Sequence, residues 1–222
     1  MLISHKYKFL TIDIPKTGTR SMRETLEPLK LFDFHGGPRV GDIRLWQHST
    51  ALEAKMEFAR LGWDWDSYFK YVVVRNPYDR YLSFLNYLNW FSENLNSDKL
   101  TTELQRNQAR QARSLFQHSN NIEEVMFKLI KRNQDHWRSQ DCFFRDNAGN
   151  IIVDHIADFS NINEEFSFFC KKTGIGENLN LRHSNKSHKV FNKKQVFSGM
   201  NLKSLSEKEC FVINLMGYTY KD

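Results

Sequence analysis

Phe9 to Ile14 (FLTIDI) form an apolar run rich in β-branched residues, which reads as a short buried strand. Pro15 has no N–H to donate and ends the ladder. From Arg20 the spacing turns helical, with Met22, Leu26 and Leu29 as the inner face. Residues 71–86, YVVVRNPYDRYLSFLN, repeat the scheme: an apolar strand closed by Arg75, Pro77 at a helix start, then a helix continuing to about Trp90. Ser49 to Leu61 predicts a helix with Leu52, Met56 and Ala59 inward and Gly62 as its end. Ile122 to Arg132 predicts another, with Ile122, Val125, Met126 and Leu129 on one face and Asn121 as its cap. Asn163 starts a helix with Phe166, Phe169 and Cys170 inward, stopped by Gly174, and Cys210 to Tyr218 reads as a closing helix.

The stretches between these elements are polar or glycine-rich. Gly36-Gly37-Pro38 and Gly41 mark a loop or chain reversal within 30–50, not a domain linker. Residues 92–120, including LQRNQARQARSLFQHSN, read as a surface helix, a lid between core elements, or a disordered segment. Asp146 to Asn150 reads as a hairpin turn between Cys142–Phe144 and Ile151–Val153, and Asp158-Phe159-Ser160 as another short strand. The two strand–turn–helix units differ too much to be a duplication. A chain of 222 residues has room for one α/β domain with a sizeable core and is short for two, so 1–222 is expected to form a single domain.

Composition supports this reading and narrows the chemistry. Eighteen Phe and five Trp supply bulky core material. The net charge of +6 suits a binder of multiply charged anions and equally a generally solvated basic surface. Cys142, Cys170 and Cys210 are widely spaced with no C-x-x-C pair, which argues against zinc ribbons and redox motifs and for reduced, mostly buried thiols. No window approaches a membrane span, and MLISHKYKFLTIDI has no apolar segment long enough for a signal peptide, so a cytoplasmic protein is expected.

The turn after the first strand carries the chemistry. Lys16-Thr17-Gly18-Thr19 leads straight into a helix, whose N-terminal N–H groups and dipole favour an anion. Lys16 adds a full charge, and Thr17, Thr19 and Ser21 add hydroxyl donors. The loop lacks the G-x-x-x-x-G-K-[ST] spacing of an ATP-binding P-loop. The second unit, Arg75-x-Pro77-x-x-Arg80-x-x-Ser83, gathers a guanidinium fork and a hydroxyl at one strand edge, which suits a terminal phosphate. Together the two motifs resemble those of the sulfotransferases that use 3′-phosphoadenosine 5′-phosphosulfate, in particular the carbohydrate branch, of the heparan and chondroitin type. In that family a P-K-[ST]-G-T-type loop holds the 5′-phosphosulfate and an R-x-P-x-x-R-x-x-S segment holds the 3′-phosphate. The resemblance extends to Gln140-x-x-Phe143, the Gly149 hairpin and the basic loop 182–191, and is close to absent at 92–120.

The resemblance implies a P-loop-like three-layer α/β fold, with a central parallel sheet flanked by helices. It implies sulfuryl transfer from 3′-phosphoadenosine 5′-phosphosulfate to an acceptor hydroxyl, with a saccharide as acceptor class and no metal. Lys16, Thr17, Gly18, Thr19, Arg20 and Ser21 would hold the 5′ group, Lys16 stabilising the leaving phosphate, with Arg20 standing where many relatives have a hydroxyl residue. Arg75 and Ser83 would hold the 3′-phosphate, and Lys186, with His188 in the basic loop, would close over the nucleotide. Arg80 is expected to hold a carboxylate, Asp79 or Asp13 among them, more than a ligand. His48 occupies the place of the histidine that takes the acceptor proton in relatives acting on uronic acid or similar sugars; His35, His136, Glu24 and Glu27 are its rivals. Two other readings compete: a nucleotide kinase of P-loop ancestry, with Asp154 or Asp158 as its carboxylate, and a non-catalytic polyanion-binding module using Arg106, Arg110 and Arg113. The three arginines are too few to require nucleic acid, and no nucleic-acid partner is expected. Neither the acceptor nor the oligomeric state is legible.

Overall fold

The computed structural model describes residues 1–35, 42–133, 137–176, 179–182 and 190–221. The chain divides into two compact units, Met1–Arg75 with Arg138–Asn185, and Asn76–Trp137 with Lys186–Asp222. Among the described residues the first unit holds five strands, β1 (Leu2–Ser4), β2 (Phe9–Ile12), β3 (Phe34–His35), β4 (Phe69–Val74) and β5 (His155–Asp158), in the order β3-β1-β2-β4-β5. The helices are α1 (Thr19–Leu26), α2 (Ala51–Leu61), α3 (Pro77–Glu93), α4 (Glu103–Gln117), α5 (Ile122–Lys131), α6 (Ile162–Thr173), α7 (Lys193–Val196), α8 (Gly199–Lys208) and α9 (Cys210–Met216). The class is α/β, as expected. The sheet is mixed: β2, β4 and β5 pair in parallel, while β1 runs antiparallel to both β2 and β3.

Period-2 alternation decides what each face of this sheet meets. Phe9 of β2, Tyr71 and Val73 of β4 and Ala157 of β5 pack with Met22 and Leu26 of α1 and with Phe166, Phe169 and Cys170 of α6. Phe169 anchors this layer, its ring 5.1 Å from Phe9 and 4.9 Å from Tyr71, the spacing at which aromatic pairs attract beyond simple burial. The inner face expected for α6 is the one observed. For α1 it is corrected at Leu29, which is 49% exposed, because Pro28 turns the chain into a 3₁₀ turn over Glu27–Leu29.

Helix α2 is rotated from its expected register. Met56 is 67% exposed and Ala59 lies outside, while Ala51, Ala54, Glu57 and Phe58 face inward. Phe58 sets the rotation, meeting Trp63, Trp65 and Tyr68 edge-on at 4.9–5.4 Å. The expected hairpin reduces to a single bridge between Arg145 and Ile151, since Gln140–Phe143 winds into a 3₁₀ turn. The strand expected at 158–160 begins earlier, at His155, and Phe159–Asn161 is another 3₁₀ turn.

The second unit is helical among its described residues. Tyr81 and Leu85 of α3, Val125, Met126 and Leu129 of α5, Val196 of α7 and Leu205 of α8 form its main core. Of the three readings of 92–120, the helix is the one observed: Thr102 and Gln105 form a reciprocal cap at the start of α4, and Ala109 and Ala112 bury against Phe91 of α3 and Leu100. Of the cysteines only Cys170 is buried; Cys142 and Cys210 are exposed, and all three are free thiols. No helix among the described residues is long and apolar enough to cross a membrane.

Candidate anion-binding site

The parallel register explains why three distant segments meet. Ile12 pairs with Val72 and Val74 with Asp158, so β2, β4 and β5 all end at one edge of the sheet, where α/β folds bind ligands. Three chain exits therefore gather at that edge: the loop 13–18 after β2, Arg75 after β4 and Phe159 after β5.

The loop is a tight left-handed turn. Lys16 has φ 72° and Gly18 φ 85°, and Gly18 leads into α1 with no side chain capping the helix and no acidic residue in its first turn. Any side chain at position 18 would be strained by its φ, and its Cβ would lie 2.8 Å from the ring of Phe159, so only glycine fits. The Arg75 guanidinium lies over the other part of this arrangement, 4.4 Å from the Phe159 ring centroid, and its Nη1 donates to the carbonyl of Lys16 at 3.1 Å. Two cations are thus held at one turn. Burial, and then the charge of Arg75, push the Lys16 ammonium down to about 8. An anion at this turn would relieve the repulsion, and backbone N–H groups at the start of α1 would supply further donors to it.

Two residues that position this pair were not expected in that role. Gln140 is fully buried and clamps the strand end from both sides: its Oε1 accepts from the Arg75 N–H at 3.0 Å and its Nε2 donates to the Arg75 carbonyl at 2.9 Å. Phe159 supplies the platform under Arg75. The Q-x-x-[YF] segment was a signal for Gln140, but nothing local predicts its partner.

The expected hydroxyl donors divide. Thr17 is fully buried and donates to the Ile14 carbonyl at 2.8 Å, so its hydroxyl proton ties the loop to itself. Thr19 and Ser21 stay half-buried at the start of α1. Arg20 is exposed and its Nε meets Glu24 at 2.5 Å, an i,i+4 surface pair that also engages one rival base. A cavity of about 10 Å³, no larger than a water molecule and too small for a phosphate, lies behind the loop between Thr11, Gly18, Tyr71 and Phe166.

His48 is half-buried and its Nδ1 lies 2.7 Å from the Asp13 carbonyl. A carbonyl only accepts, so Nδ1 carries the proton and Nε2 holds the lone pair of the neutral ring. The cap of α2 is Thr50, paired with Glu53, and not His48. The segment before His48 is tethered to α2: buried Glu57 accepts from the Arg44 N–H at 2.7 Å, and Arg60 donates to the Asp42 carbonyl at 2.6 Å. The Arg60 guanidinium, bound to Glu57, holds that carboxyl down at about 2.

In the second unit Ser83 lies buried on α3. Arg80 is buried with a carboxylate, as expected, but its partner is Glu209, at 2.9 Å, and neither Asp79 nor Asp13. Asp154 and Asp158, the candidate kinase carboxylates, are used locally: Asp154 pairs with Lys70 at 3.0 Å, and Asp158 accepts from the Ser160 N–H. His35 closes β3. Lys186, His188 and His136 fall outside the described residues. Among the described residues no group of three His, Cys, Asp or Glu side chains is placed to hold a metal ion.

The sequence model of the sulfotransferase family matches residues 1–213, nearly the whole chain. The chain belongs to the sulfotransferase family, and sulfuryl transfer is the activity class this membership supports. No curated protein and no solved structure matches it.

Proposed function

We propose that this chain transfers a sulfuryl group from 3′-phosphoadenosine 5′-phosphosulfate to an acceptor hydroxyl, with a saccharide as the acceptor class. The observation that carries this reading is the closeness of Lys16 and Arg75 at the turn after β2, two cations whose repulsion a nucleotide with anionic groups at both its 5′ and 3′ positions would relieve. In the transfer, the acceptor oxygen attacks sulfur in line, the bond from sulfur to the phosphate oxygen breaks, and the negative charge passes to the 5′-phosphate. Lys16 and the N–H groups at the start of α1 stabilise that charge. Arg75 and Ser83 would bind the 3′-phosphate, and Lys186 would contact the nucleotide from the basic loop. His48, its tautomer set by the Asp13 carbonyl, would accept the hydroxyl proton on Nε2.

The test is a thermal melt with 3′-phosphoadenosine 5′-phosphate beside ADP, AMP, and ATP with magnesium. A ligand at about 100 times its dissociation constant adds roughly 2.7 kcal/mol, a visible shift. Stabilisation by the 3′-phosphorylated nucleotide alone supports the reading. A larger shift from ATP with magnesium favours the kinase alternative and overturns the assignment of Arg75.

A further inference from the structure

Helices α4 and α5 border an open groove of about 490 Å³ whose residues all belong to the second unit, whereas those of the Lys16 turn all belong to the first. Its lining is Arg110, Gln111, Ser114, Leu115 and His118 from α4 and its cap, and Lys128 with Arg132 from α5 and its cap. The spacing makes the arrangement: Arg110, Ser114 and His118 succeed each other at i, i+4 and i+8 on one helix, and Lys128 and Arg132 at i, i+4 on the other. Among the described residues no carboxylate lines the groove, and its one ring is the His118 imidazole.

The other arginines of α4 show what a purely structural arginine does here. Arg113 donates twice to the Ser92 carbonyl, at 2.9 and 3.2 Å, and Arg106 to that of Leu100. Arg110 instead meets Glu103 and Asn107 through Nη1 alone, in an exposed pair that contributes little, and those bonds leave Nε and Nη2 unspent. Arg132 lies 5.6 Å over the Trp137 ring, a contact that uses its face and leaves its N–H edges for another partner; among the described residues no carboxylate pairs with it. Lys128 spends its ammonium on Glu124, the His118 carbonyl and Ser119, which fixes the wall of the groove. The His118 Nδ1–H donates to the Ser114 carbonyl at 2.8 Å.

We infer that the α4–α5 groove binds a compact polyanion carrying two or more phosphate or sulfate groups. Arg110 and Arg132 supply guanidinium forks on opposite walls, which match such groups in pairs, while Gln111 and Ser114 offer neutral hydrogen bonds between them. The volume is that of a small-ligand site. Its one ring, His118, is tied through Nδ1 to the Ser114 carbonyl, and no Phe, Tyr or Trp lines the groove as the row of stacking platforms that single-stranded nucleic acid uses. This inference does not rest on the proposed sulfuryl transfer.

The test titrates the full chain by calorimetry with inorganic sulfate, inositol hexakisphosphate, a trisulfated disaccharide and single-stranded DNA. Inositol hexakisphosphate or the disaccharide is expected to bind at least about tenfold tighter than sulfate, and whichever does so identifies the source of the groups. The Arg110→Gln/Arg132→Gln double variant, in two exposed positions, is expected to lose at least about tenfold in that affinity. Its unchanged melting temperature shows that the fold is kept. Lys16→Ala is expected to bind the same polyanion as tightly as the unaltered chain, so failure here and failure at the Lys16 turn are separable. Equal affinity for sulfate alone, equal or tighter binding of DNA, an unaffected double variant, or a loss in Lys16→Ala as large as in the double variant would each overturn the inference.

Discussion

Arg75 and Arg80 stand five positions apart in one sequence motif, yet the two units use them in opposite ways. Arg80 is fully buried against the fully buried carboxylate of Glu209, so its charge is cancelled where it sits. Arg75 meets a carbonyl and an aromatic face, and its charge is felt by a second cation, Lys16. The first arrangement holds helices together. The second places a cation beside a cation at a turn. The sign of its neighbours separates the structural role of Arg80 from the ligand-binding role proposed for Arg75, and the following variants and conditions test that contrast.

The largest effect is expected from Arg80→Ala, which strands Glu209 in the core and should cost about 3–5 kcal/mol in denaturant unfolding. Replacing both partners by apolar residues, Arg80→Met with Glu209→Leu, should recover most of that stability. A single variant as stable as the parent would show that the pair carries no structural weight. Next, Lys16→Ala should fold normally but lose at least about a hundredfold in kcat, as removal of one charge-stabilising donor does. Near-normal turnover would end the role given to Lys16. Arg75→Ala should weaken binding of 3′-phosphoadenosine 5′-phosphate by about tenfold or more, read by calorimetry, while lowering stability far less than Arg80→Ala. Undiminished affinity would remove Arg75 from the 3′-phosphate.

The smallest effect is a proton. Lys16 titrates near 8 in the folded chain against an ordinary 10.5. Between those values the unfolded chain binds more protons, so stability rises with pH through this group, and below about 8 the full cost of the buried charge is present. A bound phosphate counters both burial and Arg75 and raises Lys16 again. Binding of 3′-phosphoadenosine 5′-phosphate at pH 8–9 should therefore take up protons, seen as a heat that depends on buffer ionisation enthalpy. Proton release, or no dependence on buffer, would contradict the Lys16 environment.

The legible part of the sequence was local. Strand, proline, glycine turn and helix start lie within a few residues at both Lys16 and Arg75, and β2, α1, β4 and α3 fall where those signals put them. The illegible part depends on register between distant segments. Gln140 reaches Arg75 across 65 positions, Phe159 reaches Gly18 because β5 lies parallel to β4, and Glu209 reaches Arg80 across 129 positions. Helix α2 failed for a different reason. Leu52 and Met56 made a plausible stripe, and only the aromatic cluster beyond Gly62 selects Phe58 over Met56.

Lys16 carries a left-handed backbone that a non-glycine residue adopts only at a cost of order 1 kcal/mol, in addition to its buried charge. Asparagine tolerates that backbone and brings no charge. A library of variants sorted for thermal stability alone should thus favour Lys16→Asn, and should discard the one side chain on which the proposed chemistry turns. At this position robustness and activity are selected in opposite directions, so stabilising this enzyme by blind evolution calls for a nucleotide in every round.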